Sequence, residues 1–411
     1  MAKTYESYKD SGIAWIGEIP SEWKVKRLGN FYNPRNEKVS DKDFAPLSVT
    51  MKGIVPQLET AAKTNDGDNR KLVRKGDFAI NSRSDRRGSC GISEYDGSIS
   101  LINTVLCPKG KMDAGFYNWL FHTTMFADEF YKWGHGIVDD LWTTKWSDMK
   151  NIYVVEPPMQ EQHSIASFLD TKCGEIDSLI SLQEEMISEL QAYKQSVITE
   201  AVTKGLDPNA KMNCCASREK NDACISSSET QPAIERKFKD SGVEWIGEIP
   251  EGWKTNRLKY LCSIATGNKD TQDSEEDGIY KFYVRSPIIE HSNSWTFEGE
   301  GILMAGDGAG AGRVFHHAFG KYAVHQRVYR MADFKSINTN FLYYYLSSLF
   351  CRIMDMGSAQ STVPSVRLPM LTNFVVCIPP LSEQQAIASY LDDKTSQIDS
   401  LISLKQQKID E

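Results

Sequence analysis

Two segments of this chain occur twice, in the same order, and this duplication constrains the fold more than any other feature. Residues 9–29 (KDSGIAWIGEIPSEWKVKRLG) return at 239–259 (KDSGVEWIGEIPEGWKTNRLK) with 14 of 21 positions identical. Residues 157–189 return at 379–411 with 19 of 33 identical, whereas the middles, 30–156 and 260–378, show no alignment by eye. A repeat of roughly 220–230 residues is far longer than a solenoid unit, so it predicts a duplicated domain pair. Shared ends around unlike middles suggest two modules that do the same job on different targets.

The composition is that of a soluble globular protein. Its 411 residues, 40% hydrophobic and 25% charged, are enough for about two to four domains. No apolar run approaches the roughly 18 residues of a membrane span, and the N-terminal segment lacks the apolar stretch of a signal peptide. The nine cysteines are odd in number and form no CxxC pair, which favours free thiols. We therefore predict a cytoplasmic protein without a membrane segment.

A cysteine cluster lies in the polar stretch 207–236, where Cys214, Cys215 and Cys224 have no nearby histidine. A zinc site is one interpretation of this cluster, but a linker between the two halves suits the polar composition better. We predict a linker and no metal site.

The net charge of −8 is distributed unevenly. Residues 20–156 hold 20 Lys and Arg against 18 Asp and Glu, and residues 237–378 hold 15 against 15. The repeated segments 157–206 and 379–411 hold 3 against 8 and 3 against 6, which accounts for the whole of −8. Acidic helices are a poor phosphate surface but suit contact with another protein, whereas near-neutral middles can still carry a basic groove.

Residues 160–204 predict one long helix, because apolar positions alternate in steps of four and three, the pattern of a coiled-coil seam. The second copy repeats the seam, so we expect the two helices to pair antiparallel. Ser382 and Gln385 predict a capping box at the start of the second helix. The seam positions are Leu169, Ile176, Ile180, Ile187, Leu190 and Val197 in the first helix and Leu391, Ile398, Ile402 and Ile409 in the second.

The first helix carries more apolar surface than a two-helix seam needs. Phe168, Leu179, Leu182, Met186 and Tyr193 widen its stripe, and the second copy stops at Glu411 without a counterpart of residues 190–206. We therefore expect part of the stripe near residues 190–202 to be covered by a partner or by the adjacent domain.

Both middles alternate short apolar runs with turn residues, a β-rich pattern. In the first, a turn and strand at 75–81 lead into a basic loop at 82–88. In the second, a strand at 301–304 leads into the glycine-rich segment 305–313, followed by strands at 314–317 and 322–330. Each middle then has one predicted amphipathic helix, at 116–131 and 340–354.

Gly306, Gly308 and Ala311 resemble a dinucleotide-binding fingerprint, but such a fingerprint opens a helix. Here β-branched and aromatic residues follow, so we predict a glycine turn that lets a ligand such as DNA approach the backbone. The sequence has no GxxxxGK[ST], no HExxH, no nucleophile elbow and no target-base motif of amino-methyltransferases. We therefore predict no catalytic site and no cofactor.

The repeated segments resemble a known family. The paired W-I-G-E-I-P segments, 15–28 and 245–258, are similar to the starts of target recognition domains in the specificity subunits of type I restriction–modification enzymes. The paired P-P…E-Q…I-A…L-D…I-D-x-L-I helices resemble the central and distal spacer regions of that family. The first middle resembles a recognition domain at 76–81, 88–93 and 141–146, and the second at 305–314, 325–329 and 361–367. The resemblance covers nearly the whole chain apart from 207–236.

The resemblance implies an α+β fold with two β-rich target recognition domains joined by two long antiparallel coiled-coil helices, as a pseudo-two-fold internal repeat. We place the first recognition domain at 1–156, the central spacer helix at 157–206, the linker at 207–236, the second recognition domain at 237–378 and a short distal spacer helix at 379–411.

The resemblance also implies a non-catalytic subunit that reads double-stranded DNA, one half of a split, asymmetric site with each domain. Two modification subunits would dock on the helices, bind S-adenosylmethionine and methylate adenine. Restriction subunits would add ATP- and Mg²⁺-dependent translocation and cleavage. No cofactor is expected on this chain itself.

Arginine suits guanine O6 and N7, and glutamine suits adenine N6 and N7, so polar residues of the middles are candidates for DNA contact. The candidates are Arg83, Arg86, Arg87, Trp142 and Lys145 in the first middle and Arg285, Arg313, His325, Gln326, Arg327, Ser361 and Thr362 in the second. Two alternatives are a coiled-coil scaffold that binds no nucleic acid and a stand-alone methyltransferase or nuclease. The scaffold would leave the unlike middles unexplained, and the enzyme would need motifs that the sequence lacks.

Overall fold

The structure, a computed structural model, describes residues 5–57, 67–83, 86–136, 142–206, 236–357 and 364–411. The chain divides into two compact units, Met1–Leu179 and Ile180–Glu411, and the boundary falls inside the longest helix. Each unit combines short, mostly antiparallel strands with helices, which confirms the predicted α+β class with two β-rich regions and long helices. The linker 207–236, with its three cysteines, lies outside the described residues except for its last residue, Arg236.

The first unit is built mainly from short strands, and its long helix begins after the last of them. Its elements are β1 (Tyr8–Asp10), β2 (Glu18–Pro20), β3 (Lys24–Arg27), β4 (Tyr32–Pro34), β5 (Lys38–Val39), β6 (Leu47–Thr50), β7 (Gly53–Pro56), β8 (Arg70–Val73), β9 (Phe78–Asn81), β10 (Cys90–Ile92), β11 (Gly97–Ile99), β12 (Asn103–Pro108), α1 (Ala114–His122), α2 (Thr124–Lys132), α3 (Trp146–Met149), β13 (Tyr153–Glu156) and α4 (Met159–Lys204).

Helices α1 and α2 share a core with the largest sheet of this unit, which has the order β10-β9-β12-β4. Phe78, Tyr117, Phe121 and Phe126 are buried in that core. A smaller core lies between strands of the β11-β8-β5 and β6-β7 sheets and includes Ile99. Because β12 pairs antiparallel with both β4 and β9, the sheet fixes where the loops between these strands emerge.

The second unit likewise starts with a hairpin and a third strand and ends with a strand and a long helix, and other strands lie between them. Its elements are β14 (Phe238–Asp240), β15 (Glu248–Pro250), β16 (Lys254–Arg257), β17 (Ser263–Thr266), β18 (Tyr280–Tyr283), β19 (Glu290–Ser292), β20 (Phe297–Glu298), β21 (Gly301–Ala305), β22 (Phe315–Ala318), β23 (Lys321–Val324), β24 (Val328–Ala332), α5 (Thr339–Gly357), α6 (Leu368–Thr372), β25 (Val375–Ile378) and α7 (Leu381–Asp410). Its two larger sheets have the orders β17-β24-β21-β22 and β19-β18-β23-β20.

The two copies of the repeated segments make the same contacts in both units. The first segment forms a hairpin, β1–β2 or β14–β15, and a strand that pairs antiparallel with the strand before the long helix, β3 with β13 or β16 with β25. A glutamate of each long helix then accepts a hydrogen bond from a tryptophan indole. Trp23 Nε1 donates to Glu161 Oε2 at 2.9 Å, and Trp253 Nε1 donates to Glu383 Oε2 at 3.1 Å. The repeat in sequence is therefore a repeat in hydrogen bonds.

A buried glutamine follows that glutamate in both copies. Gln384 Nε2 donates to the Pro379 carbonyl at 2.8 Å, and its Oε1 accepts from the backbone N–H of Asn338 at 2.6 Å. Gln162 bonds in the same way to Pro157, at 2.8 Å, and to Asp113, at 3.0 Å. Asp113 and Asn338 accept the first-turn N–H groups of α1 and α5 with their side chains. The amide therefore joins the long helix to the helix of the unlike middle.

Helices α4 and α7 contact each other in antiparallel directions within the second unit. Lys194 Nζ lies 2.7 Å from Asp399 Oδ2, and Lys405 Nζ donates to Gln183 Oε1 at 3.2 Å. Of the predicted seam, Leu391 and Ile398 are buried, the others except Ile176 are half-buried, and Ile176 is 53% exposed. The predicted antiparallel pairing is confirmed.

The predicted excess of apolar surface on α4 has two outcomes. Ile198, Ala201 and Val202 are buried in the core of the second unit, so the adjacent domain covers them. Leu182 and Tyr193 remain 49% and 58% exposed.

Three local predictions were wrong. Pro380, and not Ser382, is the N-cap of α7, and its carbonyl accepts from Glu383 and Gln384, so the predicted capping box of Ser382 and Gln385 does not form. The predicted helix 116–131 is two helices, since Thr123 is extended and caps α2 through Phe126 N–H. The predicted strand 322–330 is interrupted by a turn, with the N–H of Val328 donating to the carbonyl of His325 at 2.9 Å.

We predict that Gln384→Ala destabilises the second unit. Gln384 is 1% exposed. Removal of its amide leaves the Pro379 carbonyl and the Asn338 N–H without this hydrogen-bond partner, which should lower the free energy of unfolding by about 2–4 kcal/mol. Urea titration should show a lower midpoint for this unit, with faster hydrogen exchange in α5. Gln385→Ala, at the next and exposed position of the helix, is the control. It should change the free energy of unfolding by less than about 0.5 kcal/mol. Equal effects of the two changes would show that the amide does not join the helices.

Candidate nucleic-acid interface

The first unit has an open groove of about 420 Å³ among the ends of β4, β8, β9 and the loop before α3. Three cations line it: Arg83, Lys145 and Lys71. Two aliphatic side chains, Leu101 and Ile102, line it as well and are 39% and 38% exposed. Lys71 Nζ donates to the Asn103 carbonyl at 2.6 Å, and burial of this amine lowers its pKa. The groove combines positive charge with apolar contact surface.

Backbone bonds hold the two walls of this first groove together. Arg83 and Thr143 form an isolated antiparallel bridge, and the N–H of Thr144 donates to the Ser82 carbonyl at 3.0 Å. Ser82 Oγ lies 2.8 Å from Thr104 Oγ1, which ties the loop to β12. The structure thus brings together Arg83 and Lys145, two candidates that are 62 residues apart in the sequence.

The other candidates of the first unit lie beside this groove, around Tyr131. The guanidinium of Arg87 lies over the Tyr131 ring, 5.7 Å from its centroid, and pairs with Asp128. Trp142 stacks on the same ring and donates its indole N–H to the Tyr131 carbonyl at 2.9 Å. Trp142 is half-buried and its one polar atom is engaged internally, whereas Arg86 is exposed.

The second unit has a smaller groove, of about 120 Å³, where the glycine turn after β21 meets the turn before β24. Asp307, Gln326 and Arg327 line it. Arg327 Nη1 lies 3.2 Å from Asp307 Oδ2, and Arg285 Nη1 lies 3.1 Å from Asp307 Oδ1. One carboxylate therefore holds two candidate arginines.

His325 and Gln326 lie in the turn that interrupts the predicted strand. Gln326 is exposed, and its Nε2 donates to Asp270 Oδ2 at 2.9 Å. His325 is 2% exposed, and its Nδ1 accepts from the N–H of Arg327 at 2.9 Å. Burial, with the charge of Arg285, lowers the pKa of His325. As placed, His325 shapes the turn from inside and presents no surface for a base.

Two further predictions concern the glycine turn and its surroundings. Residues 306–313 form turns between β21 and β22, and no helix begins there. This agrees with the prediction of a glycine turn and not a dinucleotide-binding fingerprint. Arg313 lies outside the groove lining and pairs with Asp355 at 2.6 Å. Ser361 and Thr362 lie outside the described residues.

Comparisons with known proteins find type I restriction enzyme specificity subunits. The family described as "Type I restriction modification DNA specificity domain" matches residues 250–411. The type I restriction enzyme MjaVIII specificity subunit of Methanocaldococcus jannaschii is 24% identical over 429 aligned positions, which cover 95% of this chain and 89% of that protein. The type I restriction enzyme EcoDI specificity subunit of Escherichia coli is 33% identical over 154 residues, 38% of this chain and 34% of that protein.

The chain is thus similar over nearly its whole length to a type I restriction enzyme specificity subunit. A solved structure on complex assembly and conformational transition of the type I R-M system contains a chain with the same fold. It aligns over 95% of this chain and 94% of its own length, with a TM-score of 0.66 and 16% identity. Because the match to the EcoDI protein spans about a third of that protein, its activity and partners do not transfer without further argument.

Sequence reasoning missed the acidic partners of the candidate side chains. Asp307, Asp270 and Asp128 each contact a candidate DNA-binding side chain, yet only Asp307 carried a local signal, between two glycines of the predicted turn. Within the described ranges, no group of three or more His, Cys, Asp or Glu side chains could hold a metal ion. No helix of the described part is long and apolar enough to cross a membrane.

We predict that Arg83→Ala with Lys145→Ala weakens binding of this protein to DNA. Loss of a base contact costs about 1–3 kcal/mol, and loss of a phosphate contact reduces the slope of log affinity against log salt by about one. Titration of labelled duplex DNA at several salt concentrations measures both. Lys150→Ala, an exposed cation of the same unit outside the groove lining, should change the affinity less than twofold. Unchanged affinity and slope in the double variant would exclude this groove as a DNA surface.

Proposed function

We propose that this chain is a type I specificity subunit that binds double-stranded DNA and reads a split, asymmetric site, with one half-site for each unlike domain. The observation that supports this most is that both units share one set of hydrogen bonds but have different grooves. Trp–Glu and Gln–backbone contacts recur in both units, whereas the grooves have different lining residues. A frame that stays constant while its groove varies suits two readers with separate targets.

The chemistry of the grooves favours base edges over phosphates alone. Arg83, Arg285 and Arg327 have guanidinium groups, which match guanine O6 and N7, and Gln326 has the amide that matches adenine N6 and N7. The aliphatic pair Leu101 and Ile102 suits the methyl group of thymine. Each middle carries nearly balanced charge, so long-range attraction to phosphates contributes little and contacts at close range must supply the affinity.

The long helices are the docking surface in this proposal. Leu182, Met186 and Tyr193 lie four and seven residues apart on α4, so they share one face, and they are 49%, 36% and 58% exposed. Leu401 and Leu404, one turn apart on α7, are 49% and 56% exposed. Two modification subunits would cover such surfaces and bind S-adenosylmethionine, and restriction subunits would bring ATP and Mg²⁺. This chain itself would be non-catalytic and act in the cytoplasm.

Methylome sequencing of strains with and without the gene tests the function. We expect one split motif of adenine methylation to be present only when the gene, together with its modification subunit, is intact. Exchange of residues 30–156 for the corresponding segment of another family member should then alter one half of that motif and keep the other. A chain that forms only a scaffold would leave the methylome unchanged, and simultaneous change of both halves would contradict one-domain, one-half-site reading.

We predict that Leu182→Ser with Tyr193→Ser weakens docking of the modification subunit. Burial of two such side chains contributes about 3 kcal/mol, so the double change should reduce the affinity about a hundredfold. Co-purification and titration with the modification subunit measure this. Gln191→Ala, an exposed polar position on the same helix, is the control. Wild-type affinity in the double variant would place the docking surface elsewhere.

A further inference from the structure

Asp307 is the least exposed member of a charged trio at the mouth of the second groove. Its side chain is 18% exposed, whereas the side chains of Arg285 and Arg327 are 45% and 64% exposed. Each carboxylate oxygen contacts the Nη1 of a different arginine, at 3.1 and 3.2 Å. The carboxylate therefore lies below the two guanidinium groups, which extend toward solvent.

Backbone contacts with two other chain segments hold the turn around Asp307 in place. The N–H of Gly306 donates to the Arg327 carbonyl at 2.8 Å, and the N–H of Gly308 donates to the Pro364 carbonyl at 3.0 Å. Asp307 itself forms an isolated bridge with Ser365, and Gly308 has a φ of 77°, which favours glycine. Two separate chain segments, at Arg327 and at Pro364 and Ser365, thus fix the position of one carboxylate.

The contacts leave most of each guanidinium available. Only Nη1 of each arginine is engaged by Asp307, so Nε and Nη2 can still form the paired hydrogen bonds that guanine O6 and N7 accept. An arginine held at one end has fewer rotamers to lose on binding than a mobile arginine. The negative charge beneath the pair also disfavours a phosphate at the same place.

We propose that Asp307 is a positioning residue for base recognition, which aims Arg285 and Arg327 at guanine in the half-site of the second domain. This inference rests on the proposed DNA-reading function. It assigns Asp307 two effects: it sharpens the choice of base, and it weakens contact with DNA of any other sequence. The second effect distinguishes a positioning role from a purely structural one. A residue that only stabilised the fold would strengthen binding to both kinds of DNA or to neither.

The test is selection of duplexes from a random library by the full chain in complex with its modification subunits. We compare the wild type with Asp307→Asn, and measure affinity for unrelated DNA in parallel. Asp307→Asn should reduce discrimination at one or two G·C positions of the second half-site by roughly tenfold or more. It should leave the first half-site unchanged and bind unrelated DNA more tightly, with a steeper dependence on salt. Asp307→Glu, which keeps the carboxylate, should retain preference at the same positions.

Asp277→Asn is the matched control, because it removes one negative charge from an exposed site outside the groove lining of the same domain. In a background of Arg285→Ala and Arg327→Ala, Asp307→Asn should have no further effect on base preference. Additive effects there, relaxed preference in both half-sites, or identity with the Asp277→Asn control would overturn the role of Asp307. If the wild-type complex enriches no motif at all, the proposed DNA reading fails instead.

Discussion

The structure depends on side chains of the repeated helix that bond to whatever domain lies beside them. Glu161 or Glu383 accepts an indole N–H, and Gln162 or Gln384 bonds to the backbone of the residue that caps the adjoining helix. Further along the same helices, Asp170 accepts from Trp119 Nε1 at 2.8 Å, and Asp392 accepts from Tyr344 OH at 2.7 Å. A backbone N–H is present whatever the side chain, so the glutamine contact tolerates divergence of the middle.

That constraint explains why identity is confined to the segments at each end. The strand before each long helix pairs with the strand of the first segment, and a buried tyrosine of the adjoining helix, Tyr117 or Tyr345, donates to its carbonyls. Residues outside this frame need only preserve a core. One four-stranded sheet has the same order of corresponding strands in both middles, β4-β12-β9-β10 and β17-β24-β21-β22, whereas the remaining sheets differ, β11-β8-β5 with β6-β7 in the first and β19-β18-β23-β20 in the second.

The sequence predicted the elements whose signal is local and repeated. The long helix came from its heptad seam, and the glycine turn at 306–312 from its composition. The break at Thr123 was missed because a threonine cap at −68°, 143° competes with an otherwise continuous apolar pattern. The strand break at 325–327 was missed because apolar and aromatic residues continue on both sides of the turn.

The candidate site was harder to predict because it forms between distant segments. Arg83 and Lys145 were named singly, and only the bridge between Arg83 and Thr143 places them in one groove. Asp307 and Asp270 were passed over because carboxylates repel phosphate, and their pairing with Arg285, Arg327 and Gln326 depends on how three loops meet.

Those pairings also account for the near-neutral charge of the middles. In the described part of the chain, Arg87 pairs with Asp128, Arg313 with Asp355, and two further arginines share Asp307. Paired cations attract counterions and phosphates less, whereas a base edge at close range can still meet the remaining donors of a guanidinium. For a protein that must find few sites among very many, the ratio of specific to non-specific binding matters more than affinity. In the proposed function, carboxylates beside the arginines would raise that ratio by weakening the binding to unrelated DNA.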